Sequence, residues 1–174
     1  YFSSTIKSEA GEIIYRSSTT ATEYQKEIFK QLDLNLKEGV DAKLIAADIV
    51  SNYVADFYTW SNKKGTYDVG GMQYIYQPEI INTYIYAKES YYKDLSHYID
   101  VFEQASLPEV ESVTVTFSDY NVPVEYNGET YVSFYVTATW TYVAKEGFDT
   151  SNLQTSGEFS LVERNNQIEI YRYY

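Results

Sequence analysis

Apolar residues recur at helical spacing through the first two-thirds of the chain and at alternate positions through the last third. The switch falls at Leu107-Pro108. Thr20 and Glu23 have the spacing of a capping box, in which each side chain satisfies the other's free backbone N–H. Tyr24, Ile28, Leu32 and Leu36 follow on one face, and Gly39 suits a left-handed cap, so a first helix is predicted between Thr20 and Gly39. Asp41 is a good N-cap for a second helix, predicted to run to about Asn62. Ile45, Ile49, Tyr53, Phe57 and Trp60 form its apolar stripe, while Asp48, Asn52, Asp56 and Thr59 mark the side expected to face water. Gly70-Gly71 reads as a flexible turn. Pro78 suits the first position of a third helix, whose period holds to about Gln104 with a break near Lys88–Ser90.

Beyond Pro108, Val113, Val115 and Phe117 alternate with Thr114, Thr116 and Ser118. A short strand from Val122 to Tyr126, placed at an edge by Pro123, leads into Asn127-Gly128, a strong hairpin signal. The next predicted strand is long. It carries Val132, Phe134, Val136, Ala138, Trp140 and Tyr142 on one face, and Tyr131, Ser133, Tyr135, Thr137, Thr139 and Thr141 on the other. Phe159 and Leu161, an Asn165-Asn166 turn, then Ile168 and Ile170 supply the last two strands. Helices followed by strands predict an α+β fold, with two to three N-terminal helices packed on a curved four-stranded antiparallel meander. Residues 1–19 read as an extended Ser/Thr-rich arm, in which Ile13-Ile14-Tyr15 is placed to lie against the domain, and 20–174 as a single domain.

Composition narrows the function classes. The chain has 174 residues, 13 basic against 25 acidic, a formal net charge of −12, and only three arginines, which do not cluster. That balance works against nucleic-acid binding, where Lys and Arg must neutralise phosphates, and against anionic membrane surfaces. No apolar run is long enough to span a bilayer, so no membrane insertion of this segment is expected. The absence of cysteine removes disulfides, thiol nucleophiles and thiolate metal sites. Tyrosine outnumbers leucine 21 to eight, an inversion of ordinary usage. The start at Tyr1-Phe2-Ser3-Ser4 and the eight Ser/Thr among the first twenty residues predict a processed chain that is extracellular or anchored at a bacterial cell surface.

The order of helices and antiparallel strands, the long Ile45–Trp60 segment and the hairpins at Asn127-Gly128 and Asn165-Asn166 resemble the nuclear transport factor 2-like superfamily. The resemblance covers about residues 41–174 and implies a cone of curved sheet closed by helices, with a pocket between them. It also implies one of three kinds of protein: a pocket enzyme, a small-ligand binder or an assembly domain. Superfamily enzymes often place an Asp, or an Asp/His pair, at the pocket floor, and no such pair matches here. The segment from Tyr84 to Tyr91 is similar to soluble domains of type IV secretion assembly subunits, which share that fold.

The chemistry-bearing residues are few. His97 is the only histidine and no Gly-x-Ser-x-Gly elbow accompanies it, so it reads first as a structural or surface residue. Asp119, Glu125 and Glu129 surround the first hairpin, and Asp149 and Glu158 flank the later loop, without the spacing of a calcium site. No dinucleotide or Walker motif occurs, and neither a cofactor nor a metal is expected. Tyr and Trp offer large apolar area with one polar handle. The candidate ligand-binding residues are therefore Trp60, His97, Tyr131, Tyr135 and Trp140, around a space bounded by Trp60, His97 and Trp140 and along the mixed Tyr/Thr strand face. The expected function is a non-catalytic domain binding a protein partner or a small-molecule ligand. The alternatives are a pocket enzyme of the isomerase, dehydratase or hydrolase kind, and an assembly subunit of a secretion or conjugation system.

Overall fold

The computed structural model describes residues 15–119 and 122–173. Most of the predicted arm, Ile13 and Ile14 included, lies outside the described residues. The arm's end at Tyr15 does lie against the domain: its ring packs 5.2 Å from that of Tyr74 and its hydroxyl donates to the Ile168 carbonyl at 3.2 Å.

Helix α1 (Glu23–Glu38) is capped by Thr22 rather than Thr20. The Gln25 N–H donates to Thr22 Oγ1 at 3.2 Å, and the Thr22 N–H to Gln25 Oε1 at 2.8 Å. Both residue pairs have capping-box spacing, and tertiary structure selects between them. Gln25 is buried, and its amide donates across to the Ala55 carbonyl at 2.9 Å. Gly39 ends the helix in the left-handed region, φ 72°, as predicted.

Helix α2 (Ala42–Phe57) begins at the Asp41 cap but ends short of Asn62. The Trp60 N–H donates to the Pro108 carbonyl at 2.7 Å, which draws the chain out of the helix. Most of its polar side is covered, with Asp56 only partly exposed. Asn35 of α1 donates to Asp48 at 2.7 Å, Asn52 donates to the Ile28 carbonyl at 3.3 Å, and Thr59 accepts the Val110 N–H at 3.0 Å. α2 is therefore the middle element, with the sheet on its apolar side and α1 on the other. Polar residues hold that second interface because each finds a partner.

The predicted third helix is two, α3 (Ile80–Glu89) and α4 (Leu95–Val101), broken just past the expected Lys88–Ser90. The Ala87 carbonyl accepts the N–H groups of Ser90 and Tyr92, which turns the chain and buries Tyr92. Among the described residues no helix is long and apolar enough to cross a membrane.

Strands β1 (Val110–Phe117), β4 (Ser133–Tyr142), β5 (Ser156–Arg164) and β6 (Gln167–Tyr173) form an antiparallel sheet in the order β1-β4-β5-β6. A separate hairpin, β2 (Val124–Tyr126) with β3 (Glu129–Tyr131), is inserted between β1 and β4. Both asparagine turns are left-handed, with Asn127 at φ 50°, Gly128 at 78°, Asn165 at 53° and Asn166 at 58°. The long predicted strand breaks at Val132, so Tyr131 belongs to the hairpin. Burial reverses there: Val132 is 40% exposed and Ser133 is 4% exposed, its hydroxyl donating to the Val122 carbonyl. From Phe134 onward the predicted alternation holds, with Phe134, Val136, Ala138 and Trp140 buried.

Candidate functional site

The inner sheet face is filled. Phe134, Val136, Phe159, Leu161, Ile168 and Ile170 meet Ile45, Ile49, Tyr53 and Val54, all nearly inaccessible to solvent. Trp60 and Trp140, each 3% exposed, are part of this core. The Trp140 ring lies 4.6 Å from that of Tyr58, and its Nε1 donates to the Tyr142 hydroxyl at 3.1 Å. Trp60 packs 4.8 Å from Tyr91 and 5.8 Å from Tyr98. His97 is exposed on α4, beside Tyr98. Trp60, Trp140 and His97 therefore do not surround an open space.

A small polar cavity of about 30 Å³ lies instead beside α1 and α2, among Arg16, Gln25, Asn52 and Asp56. It is the size of a water site. Its carboxylate is already engaged: Asp56 accepts the Gly71 N–H at 2.8 Å and pairs with Lys63 at 3.1 Å. Lys63 is 3% exposed and also donates to the Asp56 carbonyl and to Asn62 Oδ1, a complete set of acceptors for its three N–H groups. Gly70 and Gly71 are held rather than flexible. A Cβ on Gly70 would stand 2.3 Å from the Asp56 carbonyl oxygen, and the Gly70 N–H donates to the Tyr92 hydroxyl. Burial raises the Asp48 carboxyl above its ordinary range, opposed by the Asn35 hydrogen bond, and raises the core phenols Tyr53 and Tyr92. In all three burial is the leading cause, and the two phenols belong to the packed core.

The outer sheet face carries the roomier concavity. A groove of about 300 Å³ opens over β1, β4 and β5, lined by Ser118, Tyr135, Thr137, Glu158 and Ser160, with Val136 and Phe159 contributing to its floor. Register brings these residues together from β4, β5 and the residue that follows β1. The Ser118 N–H donates to the Tyr135 carbonyl at 2.8 Å, Tyr135 stands opposite Ser160, and Thr137 opposite Glu158. The Tyr135 hydroxyl donates to Val122 O at 3.1 Å, which fixes the orientation of its ring. Tyr131 lies apart on the hairpin, its phenol raised by the hydrogen bond to Glu129 at 2.9 Å.

Of the five candidate residues, Tyr135 alone lines this groove. Ser118, Glu158 and Ser160 carry no signal as a site in the chain, since only the pairing of β1 and β5 with β4 makes them neighbours. Among the described residues no group of three or more His, Asp or Glu is placed to hold a metal ion. No family model, curated protein or solved structure matches the chain.

Proposed function

We propose that the chain is a non-catalytic binding domain of a secreted or surface-anchored bacterial protein, and that its working surface is the outer face of the sheet. The observation that carries this reading is the contrast between the two faces. The inner face, where a cone-shaped fold would keep a pocket, is packed with side chains, and the groove of about 300 Å³ lies on the outer one. That volume is at the lower end of small-molecule sites. The Ser/Thr-rich composition of the arm supports the extracellular placement.

Amide chemical-shift mapping of the isotope-labelled chain against a library of small fragments tests the reading. Hits should gather on Tyr135, Thr137, Glu158 and Ser160, and Thr137→Arg, which plugs the groove from an exposed position, should abolish them without lowering Tm. Hits confined to the helix–sheet interface would sink the proposal and favour a pocket protein.

A further inference from the structure

We infer that the outer groove takes a neutral saccharide, an inference that rests on the binding reading above. Its lining contains no Lys or Arg; Arg172 borders it, opposite Ser160 on β6, with its guanidinium 5.3 Å from the Tyr171 ring, and the net charge of −12 disfavours an anionic ligand. Glu158 has no ion pair or hydrogen bond among the described residues, which leaves an acceptor available for a donor from outside. Thr137 adds an exposed hydroxyl and Ser160, 5% exposed, a recessed one in the groove wall, each able to donate or accept. Tyr135 contributes an aromatic wall of fixed orientation, because its hydroxyl is tied to Val122.

The spacing suits a sugar ring. Residues facing each other on adjacent strands are separated by about 4.8 Å, and successive residues on one face of a strand by about 6.8 Å. The row of Ser118, Tyr135 and Ser160 and the row of Thr137 and Glu158 therefore present polar groups on the scale of one pyranose. A saccharide combines what this lining asks for: O–H donors for Glu158, two-way partners for Thr137 and Ser160, and an apolar C–H face for the Tyr135 ring. A single exposed carboxylate beside one aromatic wall falls short of the enclosing cage that selects a quaternary or primary ammonium.

The test is shift mapping with cellobiose, maltose, lactose and chitobiose, with glucuronate as the anionic control and agmatine as the cationic one. The expected result is a saturable shift of the Tyr135, Thr137, Glu158 and Ser160 amides with at least one of the four disaccharides. Glucuronate should be weaker, and Glu158→Gln should weaken binding about tenfold through loss of a charge-assisted hydrogen bond. Thr137→Val, which keeps shape and loses the hydroxyl, should weaken it by less, and both variants should retain the parent Tm. Shifts in the groove with agmatine but with no sugar would overturn the saccharide assignment while leaving a binding domain in place. A groove silent to these probes and to the fragment library alike would overturn both.

Discussion

Two buried tyrosines should respond with opposite signs to the same change, loss of one hydroxyl. Tyr92 is fully buried, and its hydroxyl donates to the Phe57 carbonyl at 2.6 Å while accepting the Gly70 N–H at 3.1 Å. Tyr92→Phe leaves a buried carbonyl and a buried N–H without partners, at about 1–3 kcal/mol each. Relaxation of the Gly70 segment brings the expected total to about 2–4 kcal/mol. Tyr53 is 1% exposed, packed between Phe57 at 5.3 Å and Phe159 at 5.8 Å, and its hydroxyl has no hydrogen-bond partner among the described residues. Folding strips that hydroxyl of water and gives nothing in return, so Tyr53→Phe should recover about 1–2 kcal/mol, less a few tenths for the lost contact of one atom. In a chain of this length about 2–4 °C of Tm accompanies each kcal/mol. Urea unfolding followed by the fluorescence of Trp60 and Trp140 reads both effects, with equal m-values confirming that the unfolded states are comparable. If Tyr53→Phe costs 1 kcal/mol or more, the hydroxyl has a partner in the interior. The helix–sheet interface would then contain a polar guest and not a closed core, and the pocket reading would return.

Three further outcomes follow from the buried charges and the tight glycine. Lys63→Met leaves Asp56, the Asp56 carbonyl and Asn62 without their shared donor and should cost about 2–4 kcal/mol, somewhat below a fully buried pair because Asp56 is partly exposed; urea titration reads it. Gly70→Ala drives a Cβ into the Asp56 backbone and should cost at least about 2 kcal/mol, visible as a lowered Tm. Asp48 has a folded pKa raised above 3.8, so the folded state holds its proton more tightly, and its contribution to stability falls as pH rises from 3.8 through the folded value. Asp48→Asn should therefore gain stability relative to the parent as pH rises through that window and hold the gain at neutrality, whereas equal slopes in the two proteins would contradict the burial argument.

Local signals and long-range register contributed unequally to what the chain discloses. Asp41, Gly39, Asn127-Gly128 and Asn165-Asn166 act within a few residues of themselves, and each starts, ends or turns an element where the sequence places it. The α2 polar side misleads because Asp48, Asn52 and Thr59 look identical whether they meet water or the groups of a neighbouring helix and strand. Periodicity identifies the side of a helix that is apolar, and cannot say that the other side is covered too. The groove is illegible for a related reason. Tyr135 stands out on a strand face of threonines, while Glu158 and Ser160 lie 23 and 25 positions further along the chain and become its neighbours only through a register set by tertiary packing.

The tyrosine excess has a structural logic that reduces its value as a functional sign. Leucine fills space; tyrosine fills the same space and places a hydroxyl at the far end of a rigid ring. In this chain those hydroxyls repeatedly bond main-chain groups of segments that strands and helices leave unpaired. Tyr24 accepts the Val113 N–H on the sheet edge, Tyr15 donates to Ile168, Tyr92 joins Phe57 to Gly70, Tyr84 donates to Tyr67, and Tyr142 donates to Gln154. With no cysteine available for cross-links, phenols tie the loop after α2, the arm and the β4–β5 connection to the folded body. Tyr135 uses its hydroxyl in the same way, on Val122, yet its ring lines an open groove where those of Tyr53 and Tyr92 are enclosed in the core. A tyrosine that is both tethered and open to a groove presents a preorganised aromatic surface, since the hydrogen bond has already fixed the rotamer that a ligand would otherwise have to order. That combination, rather than the number of aromatic residues, is what supports the proposal of the outer face as a binding surface.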